Sequence, residues 1–402
     1  DVQARLRHVL GRIQVERSAW ISALPLLEQA RDAELARLPA DDLSVVPLLL
    51  DYARALHLTG DRKGAAAEAE RALARVERAP SPSPLLLASA LGAAGELDTG
   101  ERAEARIERS LAILRSTPGA APLDIAANLT ALAWFRRGSQ QREQAAALFR
   151  EAYGILRSER GDGHLLTLSL RSNLASMLED PAARMREHEA ILAVRRAKLG
   201  DRHYMVANSW SALAAAQVSS GEFAAAAEAY ERARAIWVET DGPANPMALA
   251  ALRNRCRALD GAGGGPEAAA SWERLARELE RGQGNPRLLA GYRVDLALHR
   301  LASRRPTLAE SDASLALALL AAAGEPAPAT LARAQAARGR ALLALARPGE
   351  ARPLLEVALA GLEKGPPELA GELAATRRAL GLEAEPPAGP GVEPGTLVHS
   401  GH

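Results

Sequence analysis

An all-α solenoid of about nine helix-turn-helix units is the fold class these 402 residues predict, on three observations. Alanine, leucine, arginine and glutamate are spread evenly from end to end, aromatic residues make up only 3%, and small residues recur in one register at steps of 39 to 42 residues. Even composition argues against a string of unlike domains, and a shortage of aromatic and β-branched residues leaves little with which to fill a sheet. Helix formers dominate, and almost no strand is expected.

The repeat rests on three ladders. The first runs Gly11, Ala53, Ala93, Ala133, Ala175, Ala214, Cys256, Ala297 and Gly339. The second, twelve residues further on, runs Ala23, Ala65, Ala105, Ala145, Ala226, Ala268, Ala309 and Ala351, and misses only the fifth unit. The third follows seven residues later with Ala30, Ala72, Ala112, Ala152, Ala233, Ala316 and Ala358, and has Ile191 and Leu275 at its exceptions. Alanine is so common that the joint phase carries the argument, not any one rung. Where two antiparallel helices cross, a small side chain lets the backbones approach while larger neighbours fill the grooves.

Apolar residues at three- and four-residue spacing divide each unit into two amphipathic helices. Turn signals between them are Gly60-Asp61, Gly100-Glu101, Gly221-Glu222 and Pro348-Gly349. Longer connections join the units: Pro80 to Pro84, Pro118 to Pro122, Gly161-Asp162-Gly163-His164, Gly200-Asp201-Arg202-His203, Gly242-Pro243 with Asn245-Pro246, and Pro326 to Pro328. The array is expected over 1–382, with units starting near 4, 46, 86, 126, 168, 207, 249, 290 and 332 and a capping helix near 367–380. The Pro/Gly-rich tail 383–402 has hardly any apolar periodicity and is expected to be disordered. Irregular packing is expected in the fifth unit, shortened at Asp180-Pro181, and at Arg255, which stands where an apolar residue belongs.

Trp210, Leu213, Ala214, Gly221, Phe223, Ala226, Tyr230 and Ala233 together resemble the tetratricopeptide signature. The long period and the Gly-Asp-x-His connections resemble the longer repeats of kinesin light chain and of bacterial signalling proteins. The resemblance covers Ala4 to Leu380, and implies a right-handed superhelix in which the first helix of each unit lines a concave, partner-binding face. A narrower resemblance lies in Val2 to Leu6, Leu10-Gly11-Arg12 and Ala23 to Ala30, which look like the repeat region following the kinase domain of bacterial serine/threonine kinases. That would imply a catalytic domain outside these residues.

Charge and chemistry narrow the function. Fifty basic residues against forty-nine acidic ones leave +1, which offers no field for nucleic acid or an anionic membrane. The apolar stretch from Ala313 to Ala323 is too short to span a bilayer. Cys256 is the one cysteine, so no internal disulfide or cysteine-based zinc site can form, and a reducing, cytoplasmic home is expected. Gly261 to Gly265 follows a helix, ends in Pro266 and lacks the lysine of a phosphate loop, so it reads as a turn. His164 and His203 occupy like places in successive connections and could begin a metal or proton-sensing site, but neither has a ligand-spaced partner; both read as loop residues at helix starts. No serine nucleophile motif is present. The expectation is no enzyme and no cofactor, but a scaffold for protein or peptide, with the arm of a bacterial kinase as the alternative.

Residues one turn from the small-residue ladder, on the stripe facing away from the second helix, are the candidates for binding: Arg12, Arg54, Trp134, Ser172, Asn173, Asn208, Ser211, Arg253, Asn254, Arg257 and Arg340. Amides suit a peptide backbone and arginine forks a carboxylate. Each is weighed against being a hydrated polar position, and Trp134 against capping the core between the third and fourth units. Arg253 and Arg257 stand one turn apart with no acid three or four residues before either, so the pair is expected to receive an acidic side chain or C-terminal carboxylate unless a neighbouring helix supplies an acid.

Overall fold

A rung residue facing its own second helix fixes how each pair of helices packs. In the computed structural model a Cβ added to Gly11 would lie 2.7 Å from Leu27, and one added to Gly339 would lie 2.6 Å from Leu355. The structure describes residues 2–16, 20–59, 61–98, 100–138, 141–243, 245–281, 285–324 and 327–382. The tail 383–402 and the turn residues Gly60 and Pro326 lie outside them.

The described residues form helices and turns, without a strand. The paired helices are α1 (Val2–Glu16) and α2 (Trp20–Arg37), α3 (Val46–Thr59) and α4 (Arg62–Arg78), α5 (Pro84–Leu97) and α6 (Glu101–Ser116), α7 (Pro122–Gly138) and α8 (Arg142–Arg160), and α9 (Leu165–Ala175) and α10 (Pro181–Leu199). Then come α11 (Tyr204–Ser219) and α12 (Phe223–Asp241), α13 (Pro246–Gly261) and α14 (Pro266–Glu280), α15 (Pro286–Ala302) and α16 (Pro306–Ala323), and α17 (Pro328–Ala344) and α18 (Pro348–Glu363); α19 (Ala370–Leu380) follows alone. The chain divides into two halves, 1–198 and 199–402.

Burial follows the ladders in most units: Ala23, Ala30, Ala65, Ala72, Ala133, Ala145, Ala152, Ala214, Ala226, Ala233, Cys256, Ala297, Ala309 and Ala316 are all at most 1% exposed. The third unit is a correction. There Ala105 and Ala112 face solvent and Ala103 and Ser110 are buried instead, two residues earlier. That register seats Ile107, Leu111 and Leu114 in the core, and Ser110 satisfies its hydroxyl on the Ala88 carbonyl at 2.7 Å. In an alanine-rich helix the larger side chains choose the buried face.

Turn chemistry closes the units. Gly100 and Gly221 sit at φ 77° and 78°, in the left-handed region that glycine enters without strain. Arg304 and Ala346, at φ 55° and 57°, fill the same place between α15 and α16 and between α17 and α18; the Pro348-Gly349 pair expected to make the latter turn instead opens α18. His164 and His203 cap α9 and α11: their Nδ1 atoms accept from the Leu166 and Met205 amides at 3.3 and 3.1 Å. This is the loop role read from the sequence.

The fifth unit is irregular in a specific way. α9 runs only 11 residues, and α10 buries His188 to 1% exposure beside Ser176. Its Nδ1 is buried without a hydrogen-bond partner among the described residues. Burial, with Arg184 and Arg195 adding to it against Glu187, pushes the imidazole down to about 4. Arg255 finds polar partners instead of an apolar seat, donating to Ser271 Oγ and Glu267, each at 2.6 Å. Burial alike pushes the Cys256 thiol up to about 12, which leaves it an inert packing group.

Two outcomes are expected. Ala226→Trp overpacks the helix crossing and lowers the unfolding free energy measured in urea by about 1 to 3 kcal/mol, whereas exposed Glu228→Trp leaves it nearly unchanged; equal tolerance at both would remove the ladder from the account. Because folded His188 refuses a proton that the unfolded chain accepts below about pH 6.5, its stability contribution is complete above that pH and fades by about 3 kcal/mol as pH falls to about 4. Urea midpoints across that window should therefore drop for the natural chain and flatten in His188→Leu.

Candidate functional site

The polar stripe of the second half is built by well-capped first helices. Asn245 accepts from the Met247 and Ala248 amides at 2.7 and 3.2 Å to start α13, and Asn285 accepts from the Arg287 amide at 2.9 Å to start α15, each with proline at the first helical position. Those starts set the phase in which Arg253 and Arg257 leave α13 and Asp295 leaves α15.

Asp295 is 7% exposed and carries two arginines. One oxygen takes Arg253 Nε, and the other takes Arg333 Nη2 of α17 at 2.7 Å. Arg333 Nε then reaches Glu372 of α19 at 2.8 and 3.0 Å. Burial works against the Arg333 guanidinium, yet Asp295 and Glu372 hold it above the ordinary arginine value. Arg253 also lies 5.6 Å from the Tyr292 ring centroid. The expectation that Arg253 and Arg257 wait together for an external carboxylate is thereby corrected: the neighbouring helix supplies the acid, and it engages Arg253.

Arg257 stays exposed, with no hydrogen-bond or ion-pair partner among the described residues. It rims a cavity of ≈ 730 Å³ whose lining includes Asp295, Arg333 and Glu372, the Gly263 to Gly265 turn, and the Trp272–His299 pair. Those two rings stack at 4.8 Å, and Asp260 accepts from Trp272 Nε1 at 2.9 Å and approaches His299 Nδ1 at 3.5 Å. Every carboxylate around the cavity thus has an internal partner, while the Arg257 fork remains open to an anionic group. Arg340, half-buried on α17, also has no hydrogen bond among the described residues; burial pulls it below the ordinary arginine value and Glu372 offsets this only in part.

The remaining candidates stand singly. Arg54 on α3 and Asn208 on α11 are exposed, and Ser172, Asn173, Ser211 and Asn254 are half-buried; none of these side chains bonds to another described residue. Arg12 on α1 is exposed and equally unpaired. Trp134 is 46% exposed, edge-on to buried Phe149 at 5.6 Å and under Arg137 at 5.0 Å, so it closes the core of its unit and still offers half its ring. Asp295, Arg333 and Glu372 escaped the sequence reading. Asp295 stands two residues before its rung, Ala297, as Asn254 stands before Cys256, and aligning units by rung would have placed it one repeat from Arg253. Among the described residues no group of three metal-ligating side chains gathers, and no helix is long and apolar enough to cross a membrane.

No family model matches the chain, and no curated protein matches it. Solved structures do. A Rap protein complexed with competence and sporulation factor is similar with a TM-score of 0.59 and 13% identity, covering 92% of this chain and 99% of that one. The apo form of the quorum sensor NprR from B. thuringiensis gives 0.57 and 14%, over 90% and 100%. A putative kinesin light chain from Podosopora anserina with nearly identical TPR-like repeats matches 60% of this chain and 98% of its own at 20% identity; its TM-score of 0.28 carries no argument. The fold is a tetratricopeptide-like helical solenoid.

If Asp295 holds Arg253 and Arg333 together, Asp295→Ala leaves two partly buried guanidinium groups facing each other. A loss of about 3 kcal/mol in urea denaturation is expected; a loss below about 0.5 kcal/mol, that of an ordinary surface change, would deny the network a structural role.

Proposed function

We propose that this chain is a non-catalytic scaffold that takes a peptide or partner helix along the exposed faces of its first helices. The observation that carries the reading is Arg257, an open guanidinium at the rim of a cavity where every acid is already engaged. In the same half, Asn208, Ser211 and Asn254 offer amide and hydroxyl groups without a hydrogen-bond partner among the described residues, as Ser172 and Asn173 do in the first half, where Arg54 adds an unpaired guanidinium and Trp134 a half-exposed ring. Such groups satisfy a peptide backbone, and the guanidinium favours a ligand carrying an acidic side chain or a C-terminal carboxylate. The likeness to a Rap protein solved with competence and sporulation factor, and to a quorum sensor, supports a ligand-receiving solenoid. A cytoplasmic setting fits the single, buried thiol. The kinase-arm alternative rests on the opening residues alone, and no feature of the structure favours it.

Peptides selected from a random library on the immobilised chain provide the test. Charge-assisted bonds contribute about 1.5 to 3 kcal/mol, so Arg257→Ala should weaken the selected peptides about tenfold or more, as should amidating a C-terminal carboxylate that they share. Binding that is indifferent to Arg257→Ala and to salt would leave apolar contact as the only mode and remove the carboxylate preference.

A further inference from the structure

Arg340 of α17 is a second guanidinium of the groove left without an ion pair, and it shares the register of Arg257. Each follows a rung directly: Arg257 follows Cys256 on α13, Arg340 follows Gly339 on α17, and Leu298 follows Ala297 on α15 between them. One register on three successive first helices puts these side chains in one row, each about 100° round its helix from the rung that faces the second helix.

The charges along this row do not balance. Arg253, Arg257, Arg333 and Arg340 stand beside Asp295 and Glu372, four guanidinium groups against two carboxylates, and both carboxylates are taken. Asp295 gives one oxygen to Arg253 and the other to Arg333, while Glu372 gives both of its oxygens to Arg333 Nε. Asp260, which lines the cavity, and Arg378, whose charge reaches Arg340, offset each other. Two positive charges are left unanswered, in a chain whose formal charge is only +1.

Arg340 is the more exacting of the two. It is half-buried and makes no hydrogen bond or ion pair among the described residues. Burial holds it below the ordinary arginine value, with Glu372 opposing that depression and Arg378 adding to it. A guanidinium already stripped of part of its water gains more from an arriving anion than a hydrated one does, because the attraction acts through a lower dielectric and the desolvation is already built into the fold.

Spacing sets what that anion belongs to. With neighbouring helices about 10 Å apart, the two steps from α13 to α17 come to about 20 Å, beyond the reach of one carboxylate, and an extended chain covers them in about six residues. Leu298, half-buried in the middle of the row, meets the residues between with an apolar surface.

We propose that Arg340 is the second anchor of the groove, and that the ligand is an extended peptide with two acidic groups about six residues apart, one on Arg257 and one on Arg340, and an apolar side chain over Leu298. This rests on the reading of the first helices as a peptide-receiving face, and adds a charge pattern to it.

Peptides selected from a random library on the full chain should share that pattern, and fluorescence anisotropy then follows them singly. Arg340→Met, which keeps the packing of the stem, should weaken a two-acid peptide about tenfold or more. Exchanging the peptide's second acid for its amide should weaken it equally, and both changes together should weaken it no further, since they remove one contact. A one-acid peptide should respond to Arg257→Ala and ignore Arg340→Met. In the free chain Arg340→Met should leave the urea midpoint in place or raise it. Selected peptides without a second acid, or losses that add where they should coincide, would overturn the second anchor and leave a peptide groove held at Arg257. A fall of the urea midpoint in Arg340→Met would overturn it too, by showing that the fold itself already answers that charge. Tightening of two-acid peptides alone by Glu383→Gln/Glu385→Gln/Glu393→Gln would make the chain's own tail the occupant. A library that yields no peptide sensitive to Arg257→Ala would sink the underlying reading and the second anchor with it.

Discussion

Everything in this chain depends on how closely two helices of a unit can approach. At Gly11 and Gly339 even a methyl group would press on a leucine of the second helix at 2.7 Å or less, and at most other rungs the buried residue is alanine or, once, cysteine. With few aromatic side chains to fill space, dispersion contact has to come from proximity, and leucines such as Leu27 and Leu355 lie across the gap that the small residue leaves. The same contact orients the helix. Once the rung points at the second helix, the residue after it points outward. Arg257, Asp295 and Arg340 all take their surroundings from that one phase.

Phase was legible because it repeats. The ladders survive in the sequence as rungs at a constant period, and the histidines of the Gly-Asp-x-His connections betray their capping role by position. The third unit was misread by two residues because Ala93, Ala105 and Ala112 satisfy the composition of a rung while Ile107, Leu111 and Leu114, which decide the buried face, were given no vote. Positive φ at Arg304 and Ala346 left no sign either, since neither residue type advertises the conformation it is made to hold.

The polar stripe was legible in outline and opaque in its pairing. Identifying exposed first-helix positions needs only helical geometry, and Arg257, Arg54 and Asn208 are where that geometry puts them. Pairing is a contact between residues about one repeat apart, and a search for acids within one helix could not see Asp295 approach Arg253 across 42 positions. Arg253 and Arg257 look equivalent on a helical wheel, yet Asp295 of α15 engages Arg253 and leaves Arg257 without an acid among the described residues.

That chain of charges has a mechanical meaning. Stacked repeats are held mainly by contacts between neighbours, so solenoids tend to fray from their ends one unit at a time. From Arg253 through Asp295 and Arg333 to Glu372, ionic links thread α13, α15, α17 and α19, so that lifting the last helix strips Arg333 of one of its two carboxylates. Under a pulling force the C-terminal units are coupled along this thread, and they give way as one cooperative block where apolar stacking alone would let them peel apart singly.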